Sequence, residues 1–136
     1  MNLSLAGKNA VICGSSRGIG LAIAKELALL GANCTLMARD ETILAEAVKS
    51  LDSSAGQSHE YMVVDFAHAT AVKKSIDMHV ANETVHILVN NSGGPPAGPI
   101  TEADPGRYRE ELDVVVEVEG LDRPAVAARW LTMYIL

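Results

Sequence analysis

Short apolar runs alternate along this chain with longer segments whose apolar residues recur at helical spacing. The runs are continuous, which is typical of strands buried on both faces of a parallel sheet and differs from the alternation of a half-exposed strand. They predict four strands, at residues 9–13, 33–38, 61–64 and 85–89.

Three helices are predicted between these strands, at residues 19–30, 41–51 and 70–82. Gly31 is a natural stop for the first helix, Asp40 is a candidate cap for the second and Thr70 for the third. Strands separated by helices imply right-handed crossovers, so the pattern predicts a three-layer α/β domain with a parallel sheet.

The last third of the chain carries a different pattern. Residues 93–99, rich in Gly and Pro, predict a loop, and Asp104-Pro105 indicates the start of a helix reaching about Val118, with another helix predicted over 124–136. All five lysines and all six asparagines lie before residue 100. We hypothesise a shifted reading frame or a fusion after about residue 100, and chance is the alternative.

The net charge, the apolar runs and the cysteines restrict the classes of partner that are expected. The net charge of −6 over 136 residues gives no attraction to a phosphate backbone, so no nucleic-acid partner is expected. No apolar run is long enough to span a membrane, and the N-terminus lacks the pattern of a signal peptide. Cys13 and Cys34 fall inside predicted strands and are expected to be buried thiols. We therefore expect a protein of the reducing cytoplasm, without a membrane partner.

A glycine motif, Gly14-Ser15-Ser16-Arg17-Gly18-Ile19-Gly20, joins the first strand to the first helix. The start of a helix presents unpaired N–H groups and a positive dipole end, which suit a pyrophosphate. Glycines allow the backbone to approach the phosphates closely, although alone they can simply make a turn. In this strand–loop–helix context the motif predicts nucleotide binding.

The spacing GxxxGxG after the first strand resembles the signature of the short-chain dehydrogenase/reductase family. Asp65, after the third strand, is similar to the family's aspartate that contacts the adenine amine, with a turn or helix-cap role as the alternative. Asn90-Asn91-Ser92-Gly93, after the fourth strand, is similar to the family's N-N-A-G motif, with Ser92 in place of alanine. Cys13 stands where the family often has threonine. The resemblance covers residues 1 to about 104.

The resemblance implies a Rossmann-like parallel sheet with helices on both faces and about four strands in the order 3-2-1-4. Residues 1–104 would be the NADP-binding half-domain, and 105–136 a divergent helical segment of the same domain. The implied cofactor-binding residues are Gly14, Ser15, Ser16, Arg17, Gly18, Ile19, Gly20, Arg39, Asp65, Asn91, Ser92 and Gly93.

The end of the second strand bears on cofactor choice. An NAD site places an acid there for the ribose 2′-hydroxyl. This chain has Ala38 followed by Arg39, and a guanidinium matches a 2′-phosphate in charge and fork geometry. Arg17 could face the same phosphate, so NADP is predicted in preference to NAD. A solvated surface charge is the alternative for Arg39.

The family's Tyr-x-x-x-Lys pair is missing from these 136 residues. No lysine follows Lys74, Tyr108 has Leu112 four places on, and Val115 stands where the family's helical asparagine would fall. We therefore predict no catalytic residue in this chain and leave open whether it is an enzyme.

Two functions remain. One is an NADP-dependent carbonyl/alcohol oxidoreductase, with 3-oxoacyl thioester reduction as a candidate, truncated so that this chain only binds cofactor. The other is a non-catalytic nucleotide-binding or interaction module. A small carbonyl substrate is implied by the resemblance alone.

Two expectations concern the rest of the chain. The four histidines show no metal-ligand spacing in the sequence, so no metal site is predicted. The fourth strand lacks the neighbour that a longer sheet would give it, and an open edge invites pairing, so self-association is expected. The alternative is that the C-terminal segment, with its apolar tail from Trp130 to Leu136, covers this edge.

Overall fold

The computed structural model describes residues 4–91 and two later strands, and it contains three helices between parallel strands. The elements in chain order are β1 (Asn9–Cys13), α1 (Gly18–Leu29), β2 (Asn33–Ala38), α2 (Glu41–Lys49), β3 (Glu60–Val63), α3 (Ala69–Val80), β4 (Ile87–Asn90), β5 (Asp113–Val118) and β6 (Val126–Arg129).

The first four strands form a parallel sheet in the order β3-β2-β1-β4, as predicted. β1 is central: Ala10 aligns with Cys34 of β2 on one side and with Ile87 of β4 on the other. The carboxyl ends of β1, β2 and β4 therefore meet at one edge of the sheet, where ligands of open α/β domains bind.

The helices predicted for the C-terminal segment are wrong over the residues that the structure describes there. Asp113–Val118 and Val126–Arg129 are strands, and they extend the sheet beyond β4 as an antiparallel pair. The physical reason is the run Val114-Val115-Val116, because β-branched side chains favour a strand over a helix. The rest of this segment, and the loop predicted over 93–99, lie outside the described residues.

The open edge predicted at β4 is also wrong. Ile87 aligns with Ala10 of β1 on one side and with Val118 of β5 on the other, so β4 is an interior strand. β3 and β6 stand at the two ends of the strand order instead. Self-association stays a prediction, without the argument that first suggested it.

Two apolar clusters cover the two faces of the sheet. On one face, Ile12, Leu36 and Val89 pack with residues of α1 and α2, and on the other Val11 and Met37 pack under residues of α3. Alternate residues of β1 serve opposite faces, and both sets are buried. This is why the strands have continuous apolar runs.

Two of the three predicted helix boundaries are confirmed. Gly31 follows α1 with a φ of +97°, and Asp40 caps α2 by accepting a hydrogen bond at Oδ1 from the Ile43 N–H at 3.0 Å. The Thr70 cap is wrong, because α3 begins at Ala69 and its N-cap residue His68 makes no side-chain cap bond. None of the helices within the described ranges is long and apolar enough to cross a membrane.

Two histidines complete the hydrogen bonding at the amino ends of β1 and β2. His86 Nδ1 accepts from the Asn9 N–H at 3.1 Å, and His59 Nδ1 accepts from the Cys34 N–H at 3.1 Å. Since His59 Nδ1 is an acceptor, the proton of the neutral ring lies on Nε2, which donates to the Asp52 carbonyl at 2.8 Å. Both nitrogens of His59 are thus used by the backbone.

Cys13 and Cys34 are buried free thiols, as predicted. Burial raises the pKa of Cys13 to about 11, against the opposing effect of a backbone hydrogen bond involving Asn91. Burial also raises the pKa of Cys34 to about 12. Both thiols therefore stay protonated in the folded chain at pH values where an exposed thiol ionises.

These shifts predict a loss of stability in alkali. Between pH 9.0, the ordinary thiol pKa, and about pH 11, the unfolded chain releases protons that the folded chain retains. The free energy of unfolding should therefore fall as pH rises through this range. Urea denaturation should show a shallower fall for the double variant Cys13→Ala/Cys34→Ala, because it lacks both buried thiols. Parallel curves for the two proteins would contradict the prediction.

Candidate functional site

The glycine loop lies between the carboxyl end of β1 and the start of α1. α1 begins at Gly18, and its N-cap residue Arg17 is extended and makes no side-chain cap bond. The N–H groups of the first turn are therefore left for another acceptor. With the positive end of the helix dipole, they form the kind of position that binds a phosphate.

Gly14 and Gly20 are required by close packing. A Cβ on Gly14 would overlap the main-chain oxygen of Asn91, and Gly14 also has a φ of +59°. A Cβ on Gly20 would overlap the main-chain oxygen of Gly14 and come within 2.9 Å of Asn91 Nδ2. The loop, the first turn of α1 and the residue after β4 therefore touch through backbone atoms.

Gly18 differs from these two glycines. Its φ is +61°, and apart from its chain neighbours and the backbone of its own helix, no described atom lies within 4 Å of the position that a Cβ would occupy. The backbone at the start of α1 is thus open on the side where a side chain would stand. A bound phosphate could approach it there, and a side chain would obstruct that approach.

Ser15 fixes the loop to the sheet. Its hydroxyl is fully buried, donates to the Ile12 carbonyl at 2.6 Å and accepts from the Met37 N–H at 3.0 Å. Its own N–H donates to the Met37 carbonyl at 3.2 Å. These bonds give Ser15 a positioning role between β1 and β2, while its predicted contact with a cofactor stays a prediction.

Asn91 ties the end of β4 to the same loop. Its Nδ2 lies 3.3 Å from the Cys13 carbonyl and 3.2 Å from the Gly14 carbonyl, and it donates to both. Ser92 and Gly93, the other predicted residues of this motif, lie outside the described residues. Neither the Ser15 bridge nor the Asn91 bridge could be found from the sequence, since each needs a neighbouring strand.

Both arginines singled out by the sequence are exposed. Arg39 follows Ala38 at the end of β2, and Arg17 precedes α1. None of the ion pairs among the described residues involves Arg17 or Arg39. The nearby acid, Asp40, serves as the cap of α2. Both guanidinium groups are therefore available to an anion at this edge.

Asp65 closes a turn after β3. Its Oδ1 accepts from the Ala67 N–H at 3.0 Å, and its Oδ2 lies 3.5 Å from Nδ1 of His68. The turn role that the sequence left as an alternative is therefore present. The side chain is 41% exposed, so one oxygen can still meet a ligand. The adenine contact stays a prediction.

Ile19, in the first turn of α1, is 60% exposed.

Residues 8–118 match the family profile described as short chain dehydrogenase. This chain belongs to the short-chain dehydrogenase family. The match includes the glycine loop, β2, Asp65 and the residues after β4, and it extends through β5. The family consists of oxidoreductases that use a nicotinamide dinucleotide.

Curated relatives include an uncharacterised oxidoreductase of Staphylococcus saprophyticus, which is 33% identical over 116 residues covering 85% of this chain and 50% of that protein. A 3-oxoacyl-(acyl-carrier-protein) reductase of Chlamydia muridarum is 33% identical over 94 residues, covering 68% of this chain and 38% of that protein. The chain spans half the length of the first relative and less of the second.

Among solved structures, the fold is similar to L-sorbose reductase from Gluconobacter frateurii in complex with NADPH and L-sorbose. The TM-score is 0.68 at 37% identity, and the match covers 80% of this chain and 42% of that one. The four parallel strands in the order 3-2-1-4 are the arrangement that this family shares.

The contact at Gly20 predicts a strong effect from a single methyl group. Gly20→Ala should destabilise the chain by about 1–3 kcal/mol, because the new Cβ overlaps the backbone of Gly14. The measurement is urea denaturation followed by circular dichroism. Ser16→Ala, in the same loop but only half-buried, serves as the control and should leave the midpoint nearly unchanged. Equal midpoints for the two variants would show that the loop does not pack as described.

Proposed function

We propose that this chain binds NADP(H) at the carboxyl edge of its sheet. The observation that carries the proposal is the pair of exposed arginines, Arg17 and Arg39, beside an open helix start at Gly18. A phosphate at the helix start and a second phosphate at the arginines would both meet positive charge. The NADPH complex of L-sorbose reductase, with the same strand arrangement, supports the choice.

The pyrophosphate would lie against Gly18, Ile19 and Gly20. Gly14 and Gly20 bring the backbone close, Gly18 leaves room for the phosphate, and Ser15 and Ser16 complete the loop. The fit depends on the left-handed φ at Gly18 and on the open space beside it. When bound, the cofactor supplies or accepts the hydride; the residues named here bind and orient it.

The adenosine half would be held by residues at the ends of β2, β3 and β4. Arg39 and Arg17 would bind the 2′-phosphate, and Ala38 offers no carboxylate to repel it. Asp65 would accept from the adenine amine with the oxygen that its turn does not use. Asn91, Ser92 and Gly93 would line the cofactor on the side of β4.

The reaction of the whole protein would be hydride transfer between this cofactor and a small carbonyl or alcohol. The relatives named above support this class, and one of them is a 3-oxoacyl-(acyl-carrier-protein) reductase. A specific observation favours a second candidate for these 136 residues, a module that binds cofactor without catalysis. They contain no Tyr-x-x-x-Lys pair, and no lysine after Lys74.

Arg39 tests the cofactor preference. We expect wild type to bind NADPH more tightly than NADH. Arg39→Asp should weaken NADPH binding by about 1.5–3 kcal/mol, or about 10- to 150-fold in Kd, through the lost charge-assisted hydrogen bond. NADH, which lacks the 2′-phosphate, should be affected much less. Both affinities can be measured by calorimetry.

The control is Lys74→Asp, which makes the same charge change on the exposed surface of α3. It should leave the ratio of NADPH to NADH affinity unchanged. A wild type that prefers NADH, or a ratio that Arg39→Asp does not alter, would refute the proposed phosphate contact.

The second candidate is tested by turnover. The purified chain should bind NADPH but not oxidise it with aldehydes, quinones or 3-oxoacyl thioesters. General acid–base catalysis is typically worth 10²–10⁴-fold, and the residues that supply it in this family are missing from these 136 residues. NADPH absorbance reports turnover, and binding in the same sample shows that the chain is folded. Turnover abolished by Gly18→Trp would contradict the prediction.

A further inference from the structure

Three potential metal ligands meet at the edge of the sheet opposite the glycine loop. Glu60 is the first residue of β3, His79 lies in the last turn of α3, and Glu83 follows shortly after that helix ends. One ligand atom from each lies within 4.8 Å of the other two. Sequence spacing gives no sign of this cluster, because the fold brings β3 to the end of α3.

The His79 ring is buried without the partners that buried imidazoles normally have. Its side chain is only 7% exposed, and its Nδ1 lies 3.3 Å from Glu60 Oε1. Its Nε2 is buried and has no hydrogen-bond partner among the described residues. His59 is the contrast, since the backbone uses both of its nitrogens. Within the described ranges, the only polar partner of the His79 ring is the Glu60 carboxylate of the same cluster, which lies at Nδ1.

The separation between His79 and Glu60 suits a shared metal ion. A charge-assisted N–H···O bond is normally about 2.7–2.9 Å long, so the 3.3 Å between His79 Nδ1 and Glu60 Oε1 is a direct contact longer than that optimum. Two ligands of a tetrahedral ion, each about 2.0–2.1 Å from the metal, lie about 3.3–3.4 Å apart. The Thr35 hydroxyl, 3.3 Å from the same Glu60 oxygen, helps to hold this carboxylate in place.

We propose that Glu60, His79 and Glu83 bind a divalent transition-metal ion of the Zn²⁺ class, with water completing the coordination. An imidazole with carboxylates suits Zn²⁺, whereas Mg²⁺ and Ca²⁺ prefer all-oxygen sites. The two carboxylates balance the charge of the ion. No lysine or arginine in the described part of the chain pairs with Glu60 or Glu83, so a metal ion would not have to displace a Lys or Arg side chain from either carboxylate.

The bound ion would fasten the end of α3 to the edge strand β3. Such an ion would add most to the stability of α3, because none of its residues is fully buried, whereas α1 and α2 each have buried residues. A ligand that binds only the folded state stabilises it by mass action. The site is separate from the glycine loop, so it does not depend on the proposed cofactor binding.

The experiment titrates the untagged 136-residue chain with ZnCl₂ by calorimetry, and with CoCl₂ by visible absorption. We expect one ion per chain, a higher Tm with Zn²⁺, and no comparable effect of Mg²⁺. Glu83→Gln, at an exposed position, should weaken Zn²⁺ binding at least about tenfold. Glu46→Gln, an exposed position on α2, is the matched control and should bind as wild type does.

His79→Phe separates metal binding from folding. It removes the ligand together with the buried unpaired nitrogen, so Zn²⁺ binding should be lost while stability without metal is not lowered. His68→Asn, at an exposed histidine, should bind normally. Absence of Zn²⁺ binding to the wild type, or binding that Glu83→Gln leaves intact, would overturn the proposal. Because Glu83→Gln changes only an exposed side chain, it decides the matter even if His79→Phe fails to fold.

Discussion

The close backbone contact between the glycine loop and the residue after β4 is the constraint on which the rest of this structure depends. There is no room for a side chain at Gly14 or Gly20. The side-chain amide of Asn91 donates hydrogen bonds to the carbonyls of Cys13 and Gly14 at the same place. This contact fixes where α1 begins relative to the sheet. The N–H groups that can bind a phosphate lie in the first turn of α1, so this contact also fixes the position of any bound dinucleotide.

The strand order makes that contact possible. β1 lies between β2 and β4, so a loop leaving β1 can touch both neighbours. Ser15 bonds to Met37 of β2, and Asn91 reaches the loop from β4. The loop is thus held on two sides, and Arg39 comes directly after β2, the strand to which Ser15 is bonded. Affinity for an extended ligand depends on such fixed spacing between separate contacts.

Features that depend on residues close together in the sequence could be predicted, and features that depend on distant residues could not. The bounds of β1 and β2 were predicted correctly because each is one apolar run that ends at loop residues. The Asp40 cap was also predicted, since it needs only residues three apart. The strand β5 was missed because Asp104-Pro105 is a strong helix-start signal, whereas the partner of Val115 and Val116 is the distant β4. The glycine loop could be found from the sequence because its residues are contiguous. The hydrogen bonds of Ser15 and Asn91 were missed because each joins residues that are far apart in the sequence.

The parallel arrangement of the strands also places the positive and negative ends of the helix dipoles at opposite edges of the sheet. Each helix runs opposite to the strands, so helix starts gather at the carboxyl edge and helix ends at the amino edge. A helix start favours anions and a helix end favours cations. The glycine loop and its arginines stand at the first edge, where phosphates are expected. His79 and Glu83 stand at the end of α3, at the second edge, with Glu60 beside them. The two proposed sites, for a dinucleotide at one edge and for a metal ion at the other, therefore lie at opposite edges of the sheet and share no residue.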